Sequence, residues 1–171
     1  MKTLKKSPVK NTDIVITRMI NAPQKKVFEA LTTPKHIKQW WGPEHFTAPH
    51  IEVDLRPEGH YLYCMEGPDG KQYWSGGVFK EVEIPGRVVL TDYFADDKGN
   101  KIDPTQVFGA DSNVPKESVV AVTFEDVEGK TKLSIHYTSL TEAEKDALMK
   151  VQFLEGWQTS LDKFSKYVQA F

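Results

Sequence analysis

The chain of 171 residues has a single cysteine, Cys64, so it can form no internal disulfide and no thiolate cluster, as expected of a reducing compartment. It has only three arginines (Arg18, Arg56, Arg87), and 22 basic against 24 acidic residues leave a formal charge of −2. Both the bidentate contacts and the positive field of a nucleic-acid reader are lacking. No apolar run reaches 18 residues, and no signal-peptide core follows Lys2, Lys5, Lys6 and Lys10. The expectation is a cytoplasmic protein that neither inserts in membranes nor binds nucleic acid. Gly-x-Ser-x-Gly, P-loop and dinucleotide fingerprints are missing too. His36, His45, His50, His60 and His136 form no His-x3-His pair. No cofactor or metal is therefore expected, and nothing in the text specifies an oligomeric state.

Aromatic residues are plentiful: 4 Trp, 6 Tyr and 9 Phe. The length suits one domain with a sizeable core, taken as residues 14–171 behind a flexible tail, 1–13. The β-branched run at 14–20 reads as the first strand. Pro23 opens a short helix over 23–31 with Val27, Phe28 and Leu31 at helical spacing. Thr33 is placed to cap and Pro34 to start a second, carrying Ile37, Trp40 and Trp41 up to Gly42-Pro43. Short β-prone runs follow at 46–54, 59–66, 71–84, 87–95, 117–126 and 130–139. Turns at Pro68-Asp69-Gly70, Pro85-Gly86 and Glu128-Gly129 separate several of them, the mark of an antiparallel meander. The 96–116 connection is long. Its Ile102, Val107 and Phe108 suit either a lid over an opening or a plain surface excursion.

Thr141 and Glu144 make a capping box. Beyond it Phe153, Leu154, Trp157, Leu161, Phe164 and Val168 share one helical face, with Gly156 a point where the helix bends or divides. The fold class is thus α+β: a seven-stranded antiparallel sheet curved around a long C-terminal helix, with two short helices between strands one and two.

That order is the order of the helix-grip fold. Asn21-Ala22-Pro23 before Val27-Phe28-Glu29-Ala30-Leu31, then Thr33-Pro34 and Gln39-Trp40-Trp41-Gly42-Pro43, resembles the opening of the START-like superfamily of cyclase, pollen-allergen and lipid-transfer relatives. Gly59 with Tyr61, Tyr63 and Met65, the Gly77–Val82 strand, Val122–Asp126 and the late Gly156-Trp157 are most similar to one family within it. That family is named after the C-terminal domain of the activator of heat-shock-protein-90 ATPase. The resemblance spans about 14–169. It implies a cavity between sheet and helix, and a small-molecule or chaperone partner. The co-chaperone proper has a separate N-terminal domain, for which the residues before 14 are too few.

Strand alternation puts Tyr61, Tyr63 and Met65 on one face, with His60, Leu62 and Cys64 on the other. Tyr73, Ser75, Phe79 and Glu81 share a parity that a bulge at Gly76-Gly77 would shift, and Thr91 pairs with Tyr93 on the next strand. Asp92, of opposite parity, is assigned to solvent. With Phe153, Trp157, Leu161 and Phe164 from the helix, these residues either wall a pocket for an apolar or amphiphilic molecule or fill the core. Trp40 is assigned to the core and Trp41 to the entrance, the alternative being two core tryptophans. Cys64, with no neighbouring base, reads as a buried inert thiol. Glu81 is the one candidate acid or base, since a carboxylate facing aromatic rings has its pKa raised; otherwise it is an ordinary strand residue. A non-enzymatic small-molecule binding protein is the leading expectation. The alternatives are a module stimulating a chaperone ATPase and a cyclase or hydrolase using Glu81 with a tyrosine such as Tyr93.

Overall fold

Ile14, Ile16 and Ile20 are buried while Val15 and Thr17 face out, so the first run folds as an alternating strand, β1 (Ile14–Ile20). The computed structural model describes residues 8–171; residues 1–7 of the expected tail lie outside the described residues. After β1 come α1 (Gln24–Thr32), α2 (Pro34–Trp40), β2 (Thr47–Val53), β3 (His60–Glu66), β4 (Gln72–Glu83) and β5 (Arg87–Ala95). They are followed by α3 (Thr105–Phe108), β6 (Ser118–Val127), β7 (Lys130–Thr138), α4 (Glu142–Lys150) and α5 (Phe153–Ala170). The strands form one antiparallel sheet in the order β1-β7-β6-β5-β4-β3-β2. This is the helix-grip fold.

Because β1 and β2 occupy opposite edges, the chain between them must cross the whole sheet. The two short helices make that crossing, α1 packing on β6 and β7 and α2 on β2. Phe28 meets Phe124 edge-on at 5.0 Å, and Gln24 Nε2 donates to Phe124 O at 2.7 Å. Trp40 is buried and donates its indole N–H to Ala30 O at 3.0 Å, which ties α2 to α1. Thr33 occupies the N-cap position of α2 without a side-chain cap bond, so Pro34 alone supplies the start signal there.

The capping box forms, Glu144 N donating to Thr141 Oγ1 at 3.1 Å and Thr141 N to Glu144 Oε2 at 2.9 Å. The C-terminal segment is indeed two helices, but it divides at Val151-Gln152, where Gln152 takes a φ of +59°, and not at Gly156. Gly156 lies inside α5. An added Cβ there would meet only Pro43 Cγ at 3.6 Å.

Gly76 and Gly77 do not form a bulge. The pairing with β5 keeps one register from Trp74 to Phe79 and slips between Phe79 and Glu81. At Gly77 the reason for glycine is crowding: a Cβ there would lie 1.9 Å from Thr91 O and 2.8 Å from Tyr61 Cε1, whereas a Cβ on Gly76 would come 3.1 Å from Tyr61 O and 3.5 Å from the Tyr93 ring. Gly77→Ala is therefore expected to destabilise the fold by about 2 kcal/mol or more. Urea denaturation reads this directly, and an unchanged midpoint would show that the strand yields without cost.

Candidate functional site

α5 behaves differently along its length. Leu161, Phe164 and Val168 are buried in the core, with Phe164 edge-on to Trp40 at 4.7 Å. One to two turns earlier, Phe153, Gly156, Trp157 and Ser160 instead line a cavity of about 350 Å³. Met65, Tyr73, Ser75, Asp92, Phe94 and Tyr137 form its sheet wall, and Phe108, Val114 and Pro115 from the β5–β6 connection close one side. A second space of about 70 Å³ lies against Tyr61, Tyr63, Leu90, Val120, Val122 and Ile135. The two share Trp41, Ser75, Asp92, Tyr137 and Trp157 as walls. Trp41 joins the rings, meeting Tyr63 at 4.9 Å and Trp157 at 5.7 Å, both edge-on.

The rim beyond Trp41 is fastened to α5. Lys163 Nζ donates to the carbonyls of Gly42 (3.1 Å), Pro43 (3.4 Å) and Phe46 (3.1 Å), and Glu44 N donates to Thr159 Oγ1 at 3.2 Å. Gly42 adopts a φ of +95°, the conformation that turns the chain after α2 and leaves Trp41 over the opening. Burial pushes the Lys163 pKa down.

One carboxylate stands among the rings. The Tyr61 hydroxyl is 2.8 Å from Thr91 O and 3.2 Å from Asp92 Oδ1; Tyr137 also bonds Asp92 and takes a hydrogen bond from the Trp157 indole. Burial raises the Asp92 pKa to about 6, against the two phenol hydrogen bonds, which favour its ionised form. Burial, then the Asp92 charge, raises Tyr61 and Tyr137 well above the usual phenol value, and Tyr63 rises for the same reasons. A protonated Asp92 can donate to Tyr61 while Tyr61 donates to Thr91 O. An ionised one competes with that carbonyl for the Tyr61 proton.

Of the residues chosen from the sequence, Trp41, Met65, Tyr73, Ser75, Phe153 and Trp157 line the larger space, and Tyr61 and Tyr63 the smaller. Phe79, Leu161 and Phe164 are core residues at 3%, 1% and 0% exposure. Glu81 lies outside: the register slip after Phe79 turns its side chain outward, 56% exposed, where Arg87 Nε donates to it at 3.4 Å. The parity of β5 is the reverse of the expected one. Thr91 accepts from Val78 N at 3.0 Å, away from both spaces. Tyr93 touches the cavity edge, but its ring rests on Gly76 with Lys101 Nζ 5.5 Å from its centroid. Asp92, assigned to solvent, is the inward residue.

Sequence reasoning missed Asp92, Tyr137, Phe46, Phe94, Val114 and Pro115, whereas Phe108 belongs to the connection for which a lid over an opening is one of two expectations. The only signal for Tyr137 was its place in the buried alternation of β7, Thr131, Leu133, Ile135 and Tyr137. In the long connection Phe108 meets Phe94 at 5.3 Å and Val114 is buried, whereas Ile102 serves chiefly to extend the β5 pairing through its N–H to Phe94 O. Cys64 is fully buried, and burial raises its pKa. Among the described residues no three His, Cys, Asp or Glu are grouped to hold a metal ion, and no helix is long and apolar enough to cross a membrane.

A curved antiparallel meander gripping a C-terminal helix, with a cavity between them, defines a START-like domain. More narrowly, the chain belongs to the Activator of Hsp90 ATPase homolog 1-like protein family, whose model matches residues 21–169. Solved structures share the fold. A protein from Arthrobacter aurescens is 22% identical, with 96% of this chain and 90% of that one covered at a TM-score of 0.79. One from Nitrosomonas europaea is also 22% identical, covering 92% and 94% at 0.74. The AHSA1 protein from Silicibacter pomeroyi is 24% identical, covering 92% and 97% at 0.69. No curated protein matches the sequence significantly.

The raised pKa of Asp92 has a stability consequence. Between about pH 4 and pH 6 the folded state keeps a proton that the unfolded chain has lost, so this group's contribution to stability is full below that window and falls as pH rises through it. Asp92→Asn removes the fall. Relative to wild type, the variant is expected to gain roughly 2 to 3 kcal/mol between pH 4 and pH 7 in urea denaturation. A wild-type-to-variant difference independent of pH would contradict the assignment.

Proposed function

We propose that the chain is a small-molecule binding protein whose apolar or amphiphilic ligand lies between the sheet and the N-terminal half of α5. The observation that carries this reading is the open space of about 350 Å³ walled by Trp41, Tyr73, Phe94, Phe153 and Trp157. Packing that would merely fill a core leaves no such volume, since protein interiors are close to crystal density. The size falls in the range of small-ligand pockets, and apolar walls with few polar groups are their usual composition. The residues assigned are Trp41, Met65, Tyr73, Ser75, Phe153 and Trp157 as walls, with Tyr61, Tyr63, Asp92 and Tyr137 at the deeper end.

Family membership supports a second reading, a module that stimulates a heat-shock-protein-90 ATPase. ATP turnover by the chaperone, measured with and without this chain, decides it, and an unchanged rate removes it. The cyclase or hydrolase reading placed Glu81 in the cavity, and the Glu81 side chain is turned outward, while Tyr93 reaches only the cavity edge.

Trp41 and Trp157 make ligand entry visible. Titration with fatty acids and polycyclic aromatics is expected to change tryptophan emission and raise the melting temperature. Val151 lines the mouth and is 38% exposed, so Val151→Trp narrows the opening without entering the core. Affinity should fall by about tenfold or more in that variant, since the rim must give way for the ligand to pass. Full affinity in Val151→Trp, or no response from wild type to any of these compounds, would refute the reading.

A further inference from the structure

Among the described residues, Asp92 is the only one with a formally charged side chain that lines either space. Every group that faces it is neutral. β3 presents Tyr61 and Tyr63, β4 presents Ser75, β6 presents Ser118 opposite Asp92 in the register, and β7 presents Tyr137. α5 adds Trp157, which acts through Tyr137, and the end of α2 adds Trp41. The nearby ammonium groups are committed elsewhere: Lys163 to three rim carbonyls, Lys101 to Glu117 at 2.8 Å on the outer face.

A carboxylate drawn into an aromatic cavity carries a desolvation cost that two phenol hydrogen bonds offset only in part; an opposite charge beside it offsets more of that cost. The described residues place none inside. What they do provide are the π faces and edges of Trp41, Trp157, Tyr63 and Tyr137 around the same space, and aromatic faces attract cations as well as apolar bodies. The cavity therefore offers an anion at its inner wall, rings about it, and no competing cation among the residues that line it.

Building on the binding-protein reading, we propose that the ligand is a cationic amphiphile: a protonated amine on a one- or two-ring or alkyl body, its ammonium at Asp92 and its apolar part toward Phe153 and Phe46. The ammonium donates to the Asp92 oxygens that face the cavity. The Tyr61 hydroxyl then returns to Thr91 O, the acceptor already 2.8 Å away. Binding of this kind strengthens as Asp92 ionises, because only the carboxylate complements the charge.

The test uses matched pairs, 1-naphthalenemethylamine with 1-naphthalenemethanol and decylamine with decanol, titrated calorimetrically into the full chain at pH 5 and pH 7.5. The amines stay protonated throughout. At pH 7.5 each amine is expected to bind about tenfold more tightly than its alcohol, and the ratio to shrink at pH 5. In Asp92→Asn the amine-to-alcohol ratio falls to near one. Should that variant fold poorly, the pH dependence of the wild-type ratio decides the same question. Alcohols binding as tightly as amines at pH 7.5, or a preference undiminished at pH 5 or in Asp92→Asn, overturns the charge inference and leaves the binding protein standing. If neither member of either pair binds, the cavity reading itself falls.

Discussion

The contact between Trp40 and Phe164 is the joint of this molecule. Trp40 is held by Ala30 O and almost wholly buried, and Phe164 meets it edge-on. With Leu161 and Val168 sunk in the same core, the C-terminal half of α5 has a fixed seat. The N-terminal half is steered by other ties: Arg18 Nη2 donates to Gln158 Oε1 at 2.6 Å on one flank, and Glu44 N donates to Thr159 Oγ1 at 3.2 Å on the other. A helix anchored at one end and tethered at its flanks spans the curved sheet without pressing on it. The space left under Phe153 and Trp157 follows from that geometry.

Into this space the fold sends a carboxylate. Asp92 enters because β5 pairs with β6 and β4 in a register that turns even-numbered positions from Leu90 to Phe94 toward the helix. Tyr61 and Tyr137, from strands well separated in sequence, converge on it. The cost of burying the charge shows as a carboxyl pKa of about 6, so the group changes state near neutral pH. An apolar residue would fill a structural core at less cost; keeping an acid beside open volume is what gives the site its chemical character.

The regular parts of the fold were legible in the sequence to within a residue or two. Strand lengths, the Glu128-Gly129 turn and the Thr141 capping box depend on local chemistry: β-branching, positive φ at the turn, and a hydroxyl three residues before a carboxylate. Facing was legible only where one side of a strand is polar. In β3 the inward set of Tyr61, Tyr63 and Met65 is the one alternation indicates, although Leu62 and Cys64 are buried on the other side by Trp74, His50 and the turn at Gly99. β5 buries both faces, so its alternation carries no direction, and it points as readily to Thr91 and Tyr93 as to the true inner set. Glu81 misleads for another reason. The slip that turns it outward lies after Phe79, where no glycine marks it, while the glycine pair that suggests a bulge lies where Thr91 O, the Tyr61 ring and Tyr61 O approach the strand closely.

By itself, then, the sequence determined the element order, the amphipathic stripe of α5, the opening with its paired tryptophans, and the absence of metal, cofactor and membrane motifs, because each of these is written in neighbouring residues. Tertiary structure alone decided which half of that stripe is core and which is wall. It also decided that Asp92 rather than Glu81 faces the rings, and that Tyr137 and the 108–115 segment complete the cavity. Those outcomes depend on register and on side chains meeting from strands far apart in the chain, and a period of two cannot say which of two apolar faces the helix will cover.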